Sequence, residues 1–176
     1  SPPRVLNVID SPLRILMWAS GPTREYQTLR TLLSREVTEK RAEMSIFLQN
    51  EGGAAGTIVQ DVDPQRMLTK FPTRYVIGGP STPEDKFYNL NEYDLIIAFD
   101  PDWSELSNEQ IDMCKRWVMD GGGGFIYVAG AINTHQLARS DEAGRMKPLL
   151  EMLPVLPEDR FLVSARPIPR TPRRLA

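Results

Sequence analysis

The sequence has few of the residue types that most often carry catalysis. Among its 176 residues there is one cysteine, Cys114, and one histidine, His135. One cysteine excludes an intrachain disulfide and leaves the redox compartment undetermined. No apolar run approaches the ~20 residues that a helix needs to cross a bilayer, and no signal peptide is visible. We therefore expect no direct membrane insertion by these residues.

An excess of basic residues is also missing. The chain holds 21 basic and 23 acidic residues, for a net charge of −2. Four of the arginines stand between 161 and 176, where there is no acid, so the rest of the chain carries 17 basic against 23 acidic residues, a net charge of −6. This surplus of acid argues against nucleic acid as a partner.

The length and the hydrophobic content of 41% fit one well-buried domain, which we assign to residues 13–165. Residues 1–12 are predicted to be an N-terminal edge strand or the end of a preceding domain. Residues 166–176 form a basic Pro/Arg-rich tail, which is typical of a solvated terminus or linker. The first residue is Ser and both ends are rich in proline, so we expect a domain of a longer protein.

Short apolar runs alternate with helical patterns along the domain. The runs at 14–19, 44–48, 94–99 and 125–130 predict strands. Between them, apolar residues at helical spacing predict helices over 23–35 and 107–119. A helix between two strands is the crossover that parallel pairing requires. The sequence therefore predicts a three-layer α/β/α sandwich with a mainly parallel, flavodoxin-like sheet.

Residues at the predicted boundaries add detail. Pro22 fits the first position of the first helix. Ser107 and Gln110 fit a capping box at the start of the second helix, and Gly121 fits a left-handed cap at its end. Shorter elements are predicted as one-turn pieces over 64–68, short helices over 83–89 and 146–153, and an edge strand over 161–164.

Polar residues follow the predicted strands at the edge where parallel sheets collect ligands. We expect them to border any pocket of the domain, without a metal site and without a cofactor. The candidate residues are Ser20, Thr23, Arg24, Gln49, Asp100, Asp102, Asn133 and His135.

Each candidate has a functional and a structural interpretation. The first turn after Ser20, with Arg24, suits a small anionic ligand, but without a glycine-rich phosphate loop or a following Lys the sequence favours an ordinary strand-to-helix turn. The pair Asp100 and Asp102 resembles the first motif of haloacid dehalogenase-like phosphatases, in which both carboxylates help to hold magnesium; alternatively the two side chains cap backbone amides in a turn. His135 is a general base or a solvent-facing loop residue. Cys114 lies on the apolar stripe of a helix, which indicates a core residue.

Several runs together resemble the class I glutamine amidotransferase-like domains, over residues 13–153. The resemblance is carried by 12–26, 47–49, 93–100 and 122–130. More narrowly, the chain resembles versions found in large bacterial membrane-anchored proteins of unknown role, often alongside von Willebrand A-type modules. Amidotransferases of this class have a Gly-x-Cys-x-Gly elbow and a downstream His-x-Glu, whereas this chain has Ala129-Gly130-Ala131 at the elbow and no histidine after Phe161.

The resemblance implies the fold, while the missing Cys and His exclude glutamine hydrolysis by the usual covalent route. The predicted function is a non-catalytic ligand- or protein-interaction domain of a larger, membrane-anchored bacterial protein. Its expected partners are other domains of the same protein or a small anionic ligand. The alternative is a metal-dependent, phosphatase-like hydrolase that uses Asp100 and Asp102.

Overall fold

The structure, a computed structural model, describes residues 11–49, 62–78, 86–138 and 143–155. The strand expected within 1–12, the edge strand expected over 161–164 and the basic tail over 166–176 lie outside the described residues.

Five parallel strands form one sheet in the order β3-β2-β1-β4-β5. The strands are β1 (Leu13–Ala19), β2 (Ala42–Leu48), β3 (Met67–Leu68), β4 (Leu95–Phe99) and β5 (Gly124–Val128). The four longer strands lie in the order of a flavodoxin-like sheet, and the two-residue β3 extends it beyond β2. The predicted fold is confirmed, and the sheet is parallel throughout the described residues.

Helices cover the two faces of the sheet. They are α1 (Arg24–Thr38), α2 (Asn108–Met119) and α3 (Ala143–Met152). The face under α1 packs Tyr26 against Ile15, Met17 and Phe99, whereas the opposite face packs α2 and α3 over Leu16, Trp18 and Ile96. Because the central strands are buried on both sides, they need apolar residues at consecutive positions, which is why they are unbroken apolar runs in the sequence.

The ends of the two longer helices differ in how well the sequence predicts them. The capping box of Ser107 and Gln110 is present, with Gln110 N donating to Ser107 Oγ at 3.2 Å. Pro22 was wrongly placed inside α1, because the N-cap is Thr23, whose Oγ1 accepts from Tyr26 N.

The left-handed glycine after α2 is Gly122 with φ of 70°, not Gly121. Gly121 is needed for another reason: a Cβ there would lie 2.7 Å from the carbonyl oxygen of Trp117.

The short elements differ from the predictions in type or in bounds. The one-turn piece near 64–68 is a 3-10 turn over Pro64–Arg66, followed directly by β3, which was not predicted. In the region of the predicted helix at 83–89, the described part holds a 3-10 turn at Lys86–Tyr88. The predicted helix at 146–153 begins earlier, because α3 is Ala143–Met152.

Candidate functional site

The carboxyl ends of three adjacent strands bring predicted site residues together. Ser20 N donates to the carbonyl oxygen of Phe99 at 3.3 Å, and Gln49 N donates to that of Ala19 at 3.0 Å. Ser20, Gln49 and the first residue after β4, Asp100, are all buried. The sheet therefore places the residues that follow β1, β2 and β4 side by side, as the predicted parallel topology requires.

Asp100 is the centre of this edge. It has a positive φ of 40°, which is unusual for a residue with a side chain, and its side chain is directed to the turn after β5. Its carboxylate accepts hydrogen bonds from Ile132 N at 2.9 Å, Asn133 N at 3.1 Å and Thr134 Oγ1 at 2.8 Å. Its backbone oxygen accepts from Asn133 Nδ2 at 2.8 Å. Asp100 thus fixes the conformation of residues 130–134, which we call the Asp100 turn.

Gly130 lets the Asp100 turn approach the aspartate closely. A Cβ at this position would lie within 2.5 Å of Asp100 Cγ, so no side chain fits there without movement. Gly130 N also donates to Thr134 Oγ1 at 2.9 Å, and the hydroxyl groups of Thr134 and Tyr127 are 2.8 Å apart. The glycine that follows β5 is therefore required by packing against Asp100.

Asp102 belongs to a second network. Its Oδ1 accepts from Ser104 N at 2.9 Å and from Gln136 Nε2 at 2.9 Å. Gln49 binds the backbone of the same residue, with Nε2 donating to Asp102 O at 2.7 Å and Oε1 accepting from Asp102 N at 2.8 Å. Burial raises the pKa of Asp102, but the hydrogen bonds from Ser104 and Gln136 outweigh it, so its pKa lies below the ordinary value. This carboxylate is ionised at neutral pH and does not suit a general acid.

The remaining predicted residues lie at the surface. Thr23 is the N-cap of α1, and Arg24 is exposed on its first turn. His135 is exposed in the 3-10 turn Thr134–Leu137. Within the described residues, neither Arg24 nor His135 bonds to another predicted site residue. The structure therefore joins Gln49 to Asp102 and Asp100 to Asn133, but it leaves the cation and the imidazole outside these networks.

Three residues of the networks were missed by sequence reasoning. Thr134 and Gln136 bind carboxylates that lie more than 30 positions earlier in the chain. Arg145 holds the segment after β4, since its Nη2 donates to the carbonyl oxygens of Trp103, at 2.9 Å, and Leu106. No spacing rule links such distant positions. The one available signal was the pair of short polar side chains, Asn133 and Thr134, in the turn that follows β5.

Cys114 is in the core, as predicted from its position on α2. It is fully buried, and burial raises the pKa of its thiol to about 12. The neutral thiol is a poor nucleophile, because the thiolate is the reactive form. Among the residues that the structure describes, no group of three or more His, Cys, Asp or Glu side chains is placed to hold a metal ion.

Comparison with known proteins gives no relative for this chain. No family model matches the sequence, and neither the curated proteins nor the solved structures include a significant match. No helix in the described ranges has the length and apolar composition that crossing a bilayer requires. The function must therefore be argued from the site itself.

Proposed function

We propose that this chain is a non-catalytic ligand- or protein-interaction domain with an amidotransferase-like fold, within a larger, membrane-anchored bacterial protein. The amidotransferase-like part of the proposal rests on the sequence resemblance. The interaction role rests on what the carboxyl edge of the sheet does with its polar groups.

The observation that carries the proposal is the engagement of Asp100. Both of its carboxylate oxygens accept hydrogen bonds from the Asp100 turn, where two backbone amides and one hydroxyl converge on them. A buried carboxylate with several donors is a stable structural group. To act as a nucleophile or a metal ligand it would have to release the turn that it fixes. The geometry therefore favours a structural role for this residue.

The Asp100 turn carries an exposed apolar side chain, Ile132, on a backbone that Asp100 holds in place. Ile132 is 70% exposed although its backbone amide is held by Asp100. An apolar side chain on a fixed backbone loses little conformational entropy when it binds, which is the property of a good protein-contact residue. This supports a protein partner, such as another domain of the same protein, in preference to a small molecule.

The alternatives remain predictions. A hydrolase that uses Asp100 and Asp102 would need both carboxylates to turn away from the bonds described above. A small anion at the first turn of α1 would be bound by Arg24 and by backbone amides of that turn, where Thr23 N already donates to Gly21 O at 2.8 Å and Tyr26 N to Thr23 Oγ1. No contact in the described residues favours either of them.

We predict that the domain has no hydrolytic activity on the substrates that its resemblances suggest. Ammonia release from glutamine and hydrolysis of p-nitrophenyl phosphate with Mg²⁺ should not exceed the buffer rate, because neither the thiol of Cys114 nor the carboxylate of Asp100 is available. Both assays compare the wild type with Cys114→Ser and Asp102→Asn. Turnover that either substitution abolishes would contradict the proposal.

A binding experiment tests the interaction role directly. The domain is immobilised, and the other domains of the parent protein are produced separately and passed over it in biolayer interferometry. Ile132→Asp should weaken binding at least about tenfold, because it places a charge at the apolar contact. Ile77→Asp is the matched control, since Ile77 is 76% exposed in a different loop. Equal effects of the two substitutions, or no binding by the wild type, would contradict this assignment.

A further inference from the structure

The outer edge of β5 has backbone groups without a strand partner in the described part of the chain. Gly124 N donates to Asp94 O at 2.9 Å, and Val128 O accepts from Asp100 N at 2.9 Å, so these two residues direct their backbone groups toward β4. Backbone groups alternate in direction along a strand, so the N–H and C=O groups of Phe125 and Tyr127 point to the other side. No other described strand pairs there.

Within the residues that the structure describes, this edge lacks three of the usual protections against pairing. Edge strands are commonly shielded by charged side chains, by proline or by being very short. From Gly121 to Ala138 the sequence contains no Asp, Glu, Lys, Arg or Pro. Ile126, in the middle of β5, is 48% exposed. The opposite edge is different, because β3 has two residues and is flanked by Pro64, Arg66 and Lys70.

We propose that the outer edge of β5 pairs with the same edge of a second copy of this chain. Closed two-fold symmetry is the commonest arrangement of soluble homo-oligomers, and it brings identical surfaces together. Such self-pairing fails when it opposes like charges. An uncharged edge avoids that repulsion, so this surface is complementary to itself. A charged partner segment would gain no ion pair here.

The strand geometry gives the register of the pair. An antiparallel arrangement with the two-fold axis at Tyr127 pairs the outward backbone groups of Phe125 with those of Ala129 of the partner subunit. The side chain of Ile126 then lies opposite Val128 of the partner subunit. These are the closely spaced, non-hydrogen-bonded positions of an antiparallel ladder, so each copy covers the exposed Ile126 of the other. The two sheets become continuous across the interface.

The test is the oligomeric state of the purified chain and of two lysine variants. Sedimentation velocity over a wide concentration range should find a dimer for the wild type. Ile126→Lys should raise the dissociation constant at least about tenfold, because it places two like charges near the two-fold axis. Leu32→Lys, at a residue 53% exposed on α1, is the matched control and should leave the dimer unchanged. Ile126→Val should leave the dimer intact. This result would show that the charge, and not merely a substitution at this position, weakens the dimer.

Amide exchange identifies the surface independently. The amides of Phe125 and Tyr127 should exchange slowly in the dimer and rapidly after dilution to the monomer. A monomer at every concentration would overturn the proposal, and slow exchange at these amides in that monomer would show that another part of the chain covers the edge. A dimer that Ile126→Lys does not weaken would place the interface elsewhere and overturn the proposal as well. None of these outcomes depends on Ile132 or on the proposed function.

Discussion

Replacing Asp100 with alanine is expected to lower the free energy of unfolding by about 3–4 kcal/mol. The substitution leaves the amides of Ile132 and Asn133 and the hydroxyl of Thr134 without their acceptor. Alanine also does not relieve the backbone strain at the positive φ of this position, where only glycine is unstrained. Urea denaturation of the wild type and the variant, followed by far-UV circular dichroism, measures the difference.

Two further comparisons separate the hydrogen bonds from other effects. Asp112→Ala removes an exposed aspartate from α2 and should change the stability by less than about 0.5 kcal/mol. Gly130→Ala should destabilise the wild type because its Cβ meets Asp100, and it should cost much less in an Asp100→Gly background. Unchanged or increased stability of Asp100→Ala would indicate a carboxylate kept for function at the expense of stability.

The parts of the fold that the sequence predicts are those set by local pattern. The apolar runs of β1 and β4 are visible because burial on both faces requires apolar residues throughout. The capping box at Ser107 depends on a spacing of three residues within the chain. By contrast, β3 is two residues long and exists only through its pairing with Ile46 and Phe47, so no local pattern marks it.

For the candidate site too, the features set by local sequence pattern were predictable and those set by distant contacts were not. Its location at the carboxyl edge was predictable from parallel topology, and so were the residues that directly follow β1, β2 and β4. The partners of Asp100 were not, because Thr134 is brought to it by the path of the chain after β5. The sequence left open whether Asp100 and Asp102 bind magnesium or backbone amides. In the structure both carboxylates accept hydrogen bonds from backbone amides, a choice that depends on the tertiary fold.

The second large effect is expected at Cys114. Replacing it with aspartate should destabilise the domain by more than about 4 kcal/mol, because the side chain is fully buried between α2 and the sheet. In that environment the ionised carboxylate has no partner, so burial should raise the pKa of the new side chain above its unfolded value of about 3.9. The loss of stability relative to the wild type should therefore grow as the pH rises above about 4, and shrink at lower pH, where both states are protonated.

Two controls make this prediction decisive. Met119→Asp adds the same charge to the same helix at a residue 61% exposed, and it should cost less than about 1 kcal/mol. Cys114→Ser is a less destabilising substitution, to be measured if the aspartate variant does not fold. It should lower the free energy of unfolding by about 1–3 kcal/mol, because it buries a hydroxyl group. In the wild type, a thiol reagent should label Cys114 only as fast as the protein unfolds, since the neutral, buried thiol is unreactive in the folded state. Rapid labelling under native conditions, or equal effects of Cys114→Asp and Met119→Asp, would mean that this face of α2 opens to solvent.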